Sequence, residues 1–292
     1  MRVADLGEFG LLAELERRAL IHDPSREGAW DGRYAVTQDV LVEGVHFRRE
    51  WTSWHDLGYK AAAVNLSDLA AMCAEPYGLL VTLCVPPDTE VAAVAELYEG
   101  LNEPGFPVLG GDTTSAPGFS LGVTALGTSD AVPGRGGARV GDVLVVTGPL
   151  GGAAAGLHAL EHGLTGFDDL VLLHRRPPFR LDAARELAPV AHALIDLSDG
   201  IASDALRIAE RSHVKVVVEV ERLPLAPRLG EVADLPFWTM GEDYELLAAV
   251  APADVGPTGF AIVGRCEQGS GVELLLDGEL LELAGWDHFR SG

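Results

Sequence analysis

Apolar residues recur at helical spacing near the start of the chain (Leu11, Leu12, Leu15, Leu20) and predict a helix over residues 6–20. Acids come early in it and Arg17-Arg18 late, an order that suits the helix dipole. A strand is predicted from Tyr34, running through residues 37–47 into a tight turn at Gly44. Residues 57–74 are small or apolar on nearly every side, which predicts a buried helix. Lys60, Asn65 and Asp68 interrupt its apolar surface. A strand over 78–85 stops at Pro86-Pro87, and a helix over 89–100 follows, capped by Asp88 or Thr89. Strands then begin at Val108 and Phe119. After a Gly- and Arg-rich stretch at 133–141, strands are predicted at 142–147, 193–196, 214–220, 246–250, 260–263 and 272–276. The helices among them fall at 153–162, 182–188 and 201–212, with a basic loop from Arg175 to Arg180. The pattern predicts an α/β protein with mixed sheets, broken into domains at 1–133 and 134–292.

Composition narrows the class. A chain of 292 residues, 48% hydrophobic, has enough apolar surface for full cores. No apolar run is long enough to span a bilayer, and acids interrupt the N-terminus, so no membrane partner is expected. Cys73, Cys84 and Cys266 lack metal-type spacing and read as reduced thiols of a cytoplasmic protein. A formal charge of -23 argues against a nucleic-acid partner, whose phosphates need a basic face. A phosphate-bearing substrate would need divalent metal between itself and such an acidic chain.

The candidate chemistry gathers at strand ends. Thr37, Asp39, Glu43 and His46 lie within one short stretch. Thr and Asp oxygens suit Mg²⁺, though a surface hairpin with solvated acids would look the same. Asp68, in a buried helix, needs a cation: either Lys60 or a metal, and we favour the metal. Gly110-Gly111-Asp112-Thr113-Thr114 follows a strand, and its glycines would let backbone N–H groups approach a phosphate. It also makes a good turn, and no Walker lysine follows. Asp196-Leu197-Ser198-Asp199-Gly200 opens a helix, where its amides and Ser198 would meet an anion or its acids would merely cap the helix. Gly241-Glu242-Asp243-Tyr244-Glu245 is a third acidic cluster before a strand.

In this order, these blocks resemble the thiamine-monophosphate kinase family. The most specific are Glu43-Gly44-Val45-His46-Phe47, Asn65-Leu66-Ser67-Asp68 and the terminal Trp286-Asp287-His288-Phe289. The wider superfamily holds aminoimidazole ribonucleotide synthetase, selenophosphate synthetase and hydrogenase-maturation proteins. The resemblance implies a two-domain aminoimidazole ribonucleotide synthetase-like fold whose N-terminal domain forms a β-barrel with its twin in a homodimer. It implies ATP- and Mg²⁺-dependent phosphorylation of thiamine monophosphate to thiamine diphosphate by direct in-line transfer, with several Mg²⁺ ions.

Carried over by position, the resemblance implies that Asp23, Thr37, Asp39, Asp68, Asp112, Asp196 and Asp199 hold metal. Asp39, Asp68, Asp112 and Asp199 among them would serve catalysis. Tyr98, Gly111, Asp112, Arg135 and Ser198 would meet ATP, and His46, Glu242 and Trp286 would meet thiamine monophosphate. A Trp beside a cationic thiazolium ring is a good stacking partner. The chain departs from the family pattern in three places. His22-Asp23-Pro24-Ser25-Arg26 stands where Gly-Asp-Asp-Ala-Ala is usual, with Asp23 as the surviving ligand. Gln38 replaces a short hydroxyl residue, and Ser115 replaces an Arg. The rival readings are a degenerate member that binds without catalysis, supported by the altered block, and a sister ATP-dependent enzyme with another acceptor.

Overall fold

The computed structural model describes residues 3–21, 26–232, 236, 240–256 and 259–281. The chain builds two sheets. The first orders its strands β1 (Ala29–Trp30), β2 (Tyr34–Val42), β5 (Ser120–Thr128), β3 (Glu75–Val85) and β4 (Val108–Ser115). The second orders β12 (Glu279–Leu281), β11 (Gly271–Leu276), β8 (Lys215–Glu219), β10 (Ala261–Glu267), β6 (Val143–Val146), β9 (Leu246–Val250) and β7 (Ala191–Asp196). Both mix parallel and antiparallel pairs: β3 runs parallel to β4, and β8 parallel to β11. Within one chain the first sheet is open, with β1 and β4 at its edges.

The central helix α2 (Trp54–Ala71) explains its own composition. Leu57, Ala61, Ala62, Leu66 and Leu69 pack into the core of the first sheet. Ala70 and Ala71 pack instead with Leu194, Leu246 and Ala248 of the second sheet and with Leu181, Ala184 and Leu187 of α6 (Leu181–Leu187). A helix pressed between two sheets has no solvent face to spend on polar residues, so a polar residue that remains there needs a partner. The other helices are α1 (Val3–Arg17), α3 (Val91–Asn102), α4 (Gly152–Glu161), α5 (Asp168–Arg175), α7 (Ile201–Ser212) and α8 (Leu229–Val232).

Three local expectations change. The cap of α3 is Glu90, with no side-chain capping bond, rather than Asp88 or Thr89. The glycine pair does not end a strand: β4 continues through Gly110, Gly111 and Asp112 to Ser115, paired with β3. Helix α5 lies where no helix is expected, because Leu170-Val171-Leu172-Leu173 is a run and not a spaced stripe.

Candidate active site

The site is built where α2 meets the ends of β2 and β7. On β2, Thr37 and Asp39 share the face that looks onto α2, as strand alternation requires. Thr37 Oγ1 donates to the carbonyl of Asn65 at 3.1 Å, and the Asp39 N–H donates to Asn65 Oδ1 at 3.0 Å. Asn65 Nδ2 donates back to the Ala61 carbonyl at 2.9 Å. The buried Asn thus locks strand to helix and places Asp39 beside Asp68. Two residues on, Ser67 Oγ donates to Asp196 Oδ2 at 2.7 Å, both groups buried, and ties α2 to the end of β7.

Carboxylate oxygens of Glu27, Asp68 and Asp196 all lie within 4.8 Å of one another. Burial pushes the Asp68 carboxyl well above its usual range, and the charges of Asp39, Asp196 and Glu27 push it further. Asp196 is pushed up to about 8, first by burial and then by Glu27. Arg135 answers this charge from one side: its Nε donates to Glu27 Oε1 at 2.7 Å and its Nη2 to Glu27 Oε2. Burial works against the Arg135 charge, but Glu27 outweighs it. Three close carboxylates answered by one guanidinium fit a hard divalent cation, which oxygen ligands suit.

Of the predicted residues, Asp39, Asp68, Asp196 and Arg135 come together here. Lys60 is not the partner of Asp68: its Nζ meets Glu242 Oε2 at 2.9 Å. Glu27 is the acid that sequence reasoning missed. Asp23 lies outside the described residues, as does Trp286. The signal available was spacing: an acid followed by a small residue, Glu27-Gly28, just before the strand pair. Glu27 brings an acid to the cluster from just beyond the altered block.

Asp199 stands at the mouth of α7, where Arg207 Nη2 donates to its Oδ2 and its N–H donates to the buried Asp204 at 3.1 Å. Ser198, half-buried beside it, accepts the Glu242 N–H on its carbonyl at 2.9 Å. His46 Nδ1 accepts the Val42 N–H at 3.0 Å, so its other ring nitrogen carries the proton and can face a ligand. Tyr98 lies half-buried on α3, packed against the first core.

Gly111 and Asp112 are placed differently. Along one row of the sheet, Asp39 faces Val123, Val123 faces Val81 and Val81 faces Gly111. Three strand spacings put β4 about 14 Å from Asp39, and Asp112 is exposed on that edge. One chain alone does not bring Asp112 to the acid cluster. Gln38 is exposed on the opposite face of β2 from Asp39, so its amide leaves the cluster untouched.

Residues 25–129 match the family described as AIR synthase related protein, N-terminal domain, and residues 139–269 its C-terminal domain. The two-domain mixed α/β fold is therefore that of the AIR synthase related proteins. A thiamine-monophosphate kinase of Aquifex aeolicus is 33% identical over 99% of this chain and 100% of its own length. One from Mycobacterium tuberculosis is 34% identical over 97% of this chain and 92% of its own. A solved structure described as AaThiL complexed with AMPPCP and TMP superposes with a TM-score of 0.91 at 32% identity, covering 99% of both chains. The chain belongs to the thiamine-monophosphate kinase family.

Proposed function

We propose that the protein transfers the terminal phosphoryl group of ATP to thiamine monophosphate, giving thiamine diphosphate. The observation that carries this is the convergence of Glu27, Asp68 and Asp196 within 4.8 Å, with Asp39 alongside. Phosphoryl transfer asks a protein mainly for positioning and charge neutralisation. These residues would hold Mg²⁺, which supplies the positive charge that phosphate oxygens need. Thr37 fixes the strand that presents Asp39, and Asp199 extends the acid set from the mouth of α7. Arg135 and Ser198 adjoin the cluster and would meet the nucleotide phosphates. His46 and Glu242 would receive thiamine monophosphate. The full-length kinase relatives, and the relative solved with AMPPCP and TMP, support the reading.

The assembly we infer is a homodimer. The outer face of the first sheet leaves Val40 51%, Leu80 38% and Leu109 53% exposed, apolar area that a second copy would cover. A twin packed there would close the open sheet into a barrel and give Gly111, Asp112 and Tyr98 a nucleotide to meet. The division we infer falls between residues 133 and 134. The free thiols of Cys73, Cys84 and Cys266 fit a cytoplasmic protein, and no described helix is long and apolar enough to cross a membrane.

The test is ADP formation from ATP, Mg²⁺ and thiamine monophosphate, with the product identified as thiamine diphosphate. Turnover that vanishes with a chelator is expected. Tight binding of ATP or thiamine monophosphate without turnover would overturn the kinase reading in favour of a binder.

A further inference from the structure

Lys60 is the one strongly basic side chain on α2, and it is 3% exposed. A buried ammonium needs an anion. Its partner comes from the other half of the chain: Glu242 Oε2, at 2.9 Å. His174 on α5 reaches the same oxygen, Nδ1 to Oε2 at 3.1 Å. Three segments, 182 residues apart at their extremes, therefore converge on one carboxylate oxygen.

The other oxygen of Glu242 is left outside this arrangement. Among the described residues, Oε1 takes no hydrogen bond, and the Glu242 side chain keeps 29% exposure while those of Lys60 and His174 keep 4% and 9%. Lys60 and the His174 ring sit behind the carboxylate, and its front is open. Burial works to raise the Glu242 carboxyl, but Lys60 and then His174 outweigh it and keep it anionic.

The backbone is held as firmly as the side chain. Glu242 has φ +70°, a left-handed conformation that costs a residue with a Cβ. Its N–H is tied to the Ser198 carbonyl at 2.9 Å. Gly241 before it presses on the same carbonyl, where a Cβ would stand 1.8 Å from the oxygen. Strain of this kind persists only where surrounding contacts over-determine it.

We propose that Lys60 and His174 are positioning residues that clamp Glu242 by Oε2, so that Oε1 is turned to the cationic body of the acceptor. The proposal rests on the reading that Glu242 meets thiamine monophosphate. It also gives α2 a second task. Lys60 and Asp68 are eight residues apart on one helix, about 12 Å along its axis. One rigid element therefore sets the distance between the acceptor clamp and the acid cluster.

The experiment is steady-state kinetics on the full chain, with KM measured for both substrates. Lys60→Met and Glu242→Gln are each expected to raise KM for thiamine monophosphate about tenfold, with kcat and KM for ATP within about twofold. Because Lys60 acts through Glu242, the double variant Lys60→Met/Glu242→Gln should match Glu242→Gln alone. It also removes both buried charges together, so it guards against a single variant that fails to fold. Lys60→Arg should recover most of the affinity, and His174→Leu should raise the same KM by a smaller factor. An unchanged KM in Lys60→Met, or effects that multiply in the double variant, would overturn the proposal. An unchanged KM in Glu242→Gln, in a protein that turns over, would remove Glu242 from the acceptor and the clamp with it, while the kinase reading stands. If the unmodified protein shows no turnover, calorimetric titration with thiamine monophosphate decides: weaker binding in Lys60→Met supports the clamp, and equal binding ends it.

Discussion

Arg135 donates to both carboxylate oxygens of Glu27, from Nε to Oε1 at 2.7 Å and from Nη2 to Oε2. A guanidinium is thus the counter-charge of the acid cluster, and a divalent cation at Glu27 would compete with it for the same negative charge. Arg135→Gln is expected to destabilise the metal-free protein by about 3–5 kcal/mol, because carboxylates lose their partner. The variant should then gain more from Mg²⁺ than the unmodified protein gains. Thermal melts with chelator and with Mg²⁺ check this. A Mg²⁺-induced rise in Tm no larger than the wild-type one would show that Arg135 and the metal do not compete.

Asp68 is the acid crowded from most sides, by Asp39, Asp196 and Glu27. Asp68→Asn keeps the shape and removes one charge. Turnover should fall on the order of a hundredfold or more, since the metal loses a ligand. The melting temperature in chelator should not fall, since like-charge repulsion is relieved. Retained turnover would take Asp68 out of the metal site.

Asp243 gives a pH signature that needs no metal. Burial pushes its carboxyl up to about 7, against the pull of the Gly151 and Ala153 amides, which donate to it at 2.7 and 3.4 Å. Its folded value therefore exceeds the unfolded one, about 3.9. Between those values the folded chain holds a proton that the unfolded chain has released. This contribution to stability is complete at low pH and is lost as pH rises through the window, by up to about 1.4 kcal/mol per unit. Asp243→Asn should remove that part of the slope. Urea midpoints of the two proteins at pH 5 and pH 7 make the comparison, and parallel slopes would refute it.

Gly111 has φ +149°, and a Cβ there would stand 1.8 Å from the Val81 carbonyl oxygen. Gly111→Ala must force β4 away from β3. A cost of about 1–3 kcal/mol is expected, which a chain of this size registers as a Tm lower by about 2–10 °C. An unchanged Tm would mean that β4 shifts freely and that the close approach has no role in holding Asp112.

Much of the fold is legible along the chain because its signals are local. Helix α7 is predicted at residues 201–212 and found at Ile201–Ser212, since a Gly precedes it and its apolar residues keep one stripe. Strand β9 is predicted at 246–250 and found at Leu246–Val250 as an uninterrupted apolar run. The buried character of α2 follows from its small residues alone. Where local signals are weak, the reading fails. Helix α5 carries its apolar residues in a block, and Gly110-Gly111 looks like a turn because what glycine serves there is close approach to another strand.

The site divides the same way. By itself the sequence determined which acids stand in the strands, the turns and the buried helix, and its family resemblance marked Asp39, Asp68 and Asp196 among them as a metal-suited set. Only the tertiary structure decided which of them meet. It brought Glu27 into the cluster, gave Lys60 to Glu242 and not to Asp68, and left Asp112 on an exposed edge. The physical reason is range. Backbone preference and hydrophobic period act over a few neighbours, whereas a buried charge takes its partner from whatever the packed elements bring within about 4 Å, however distant in the chain.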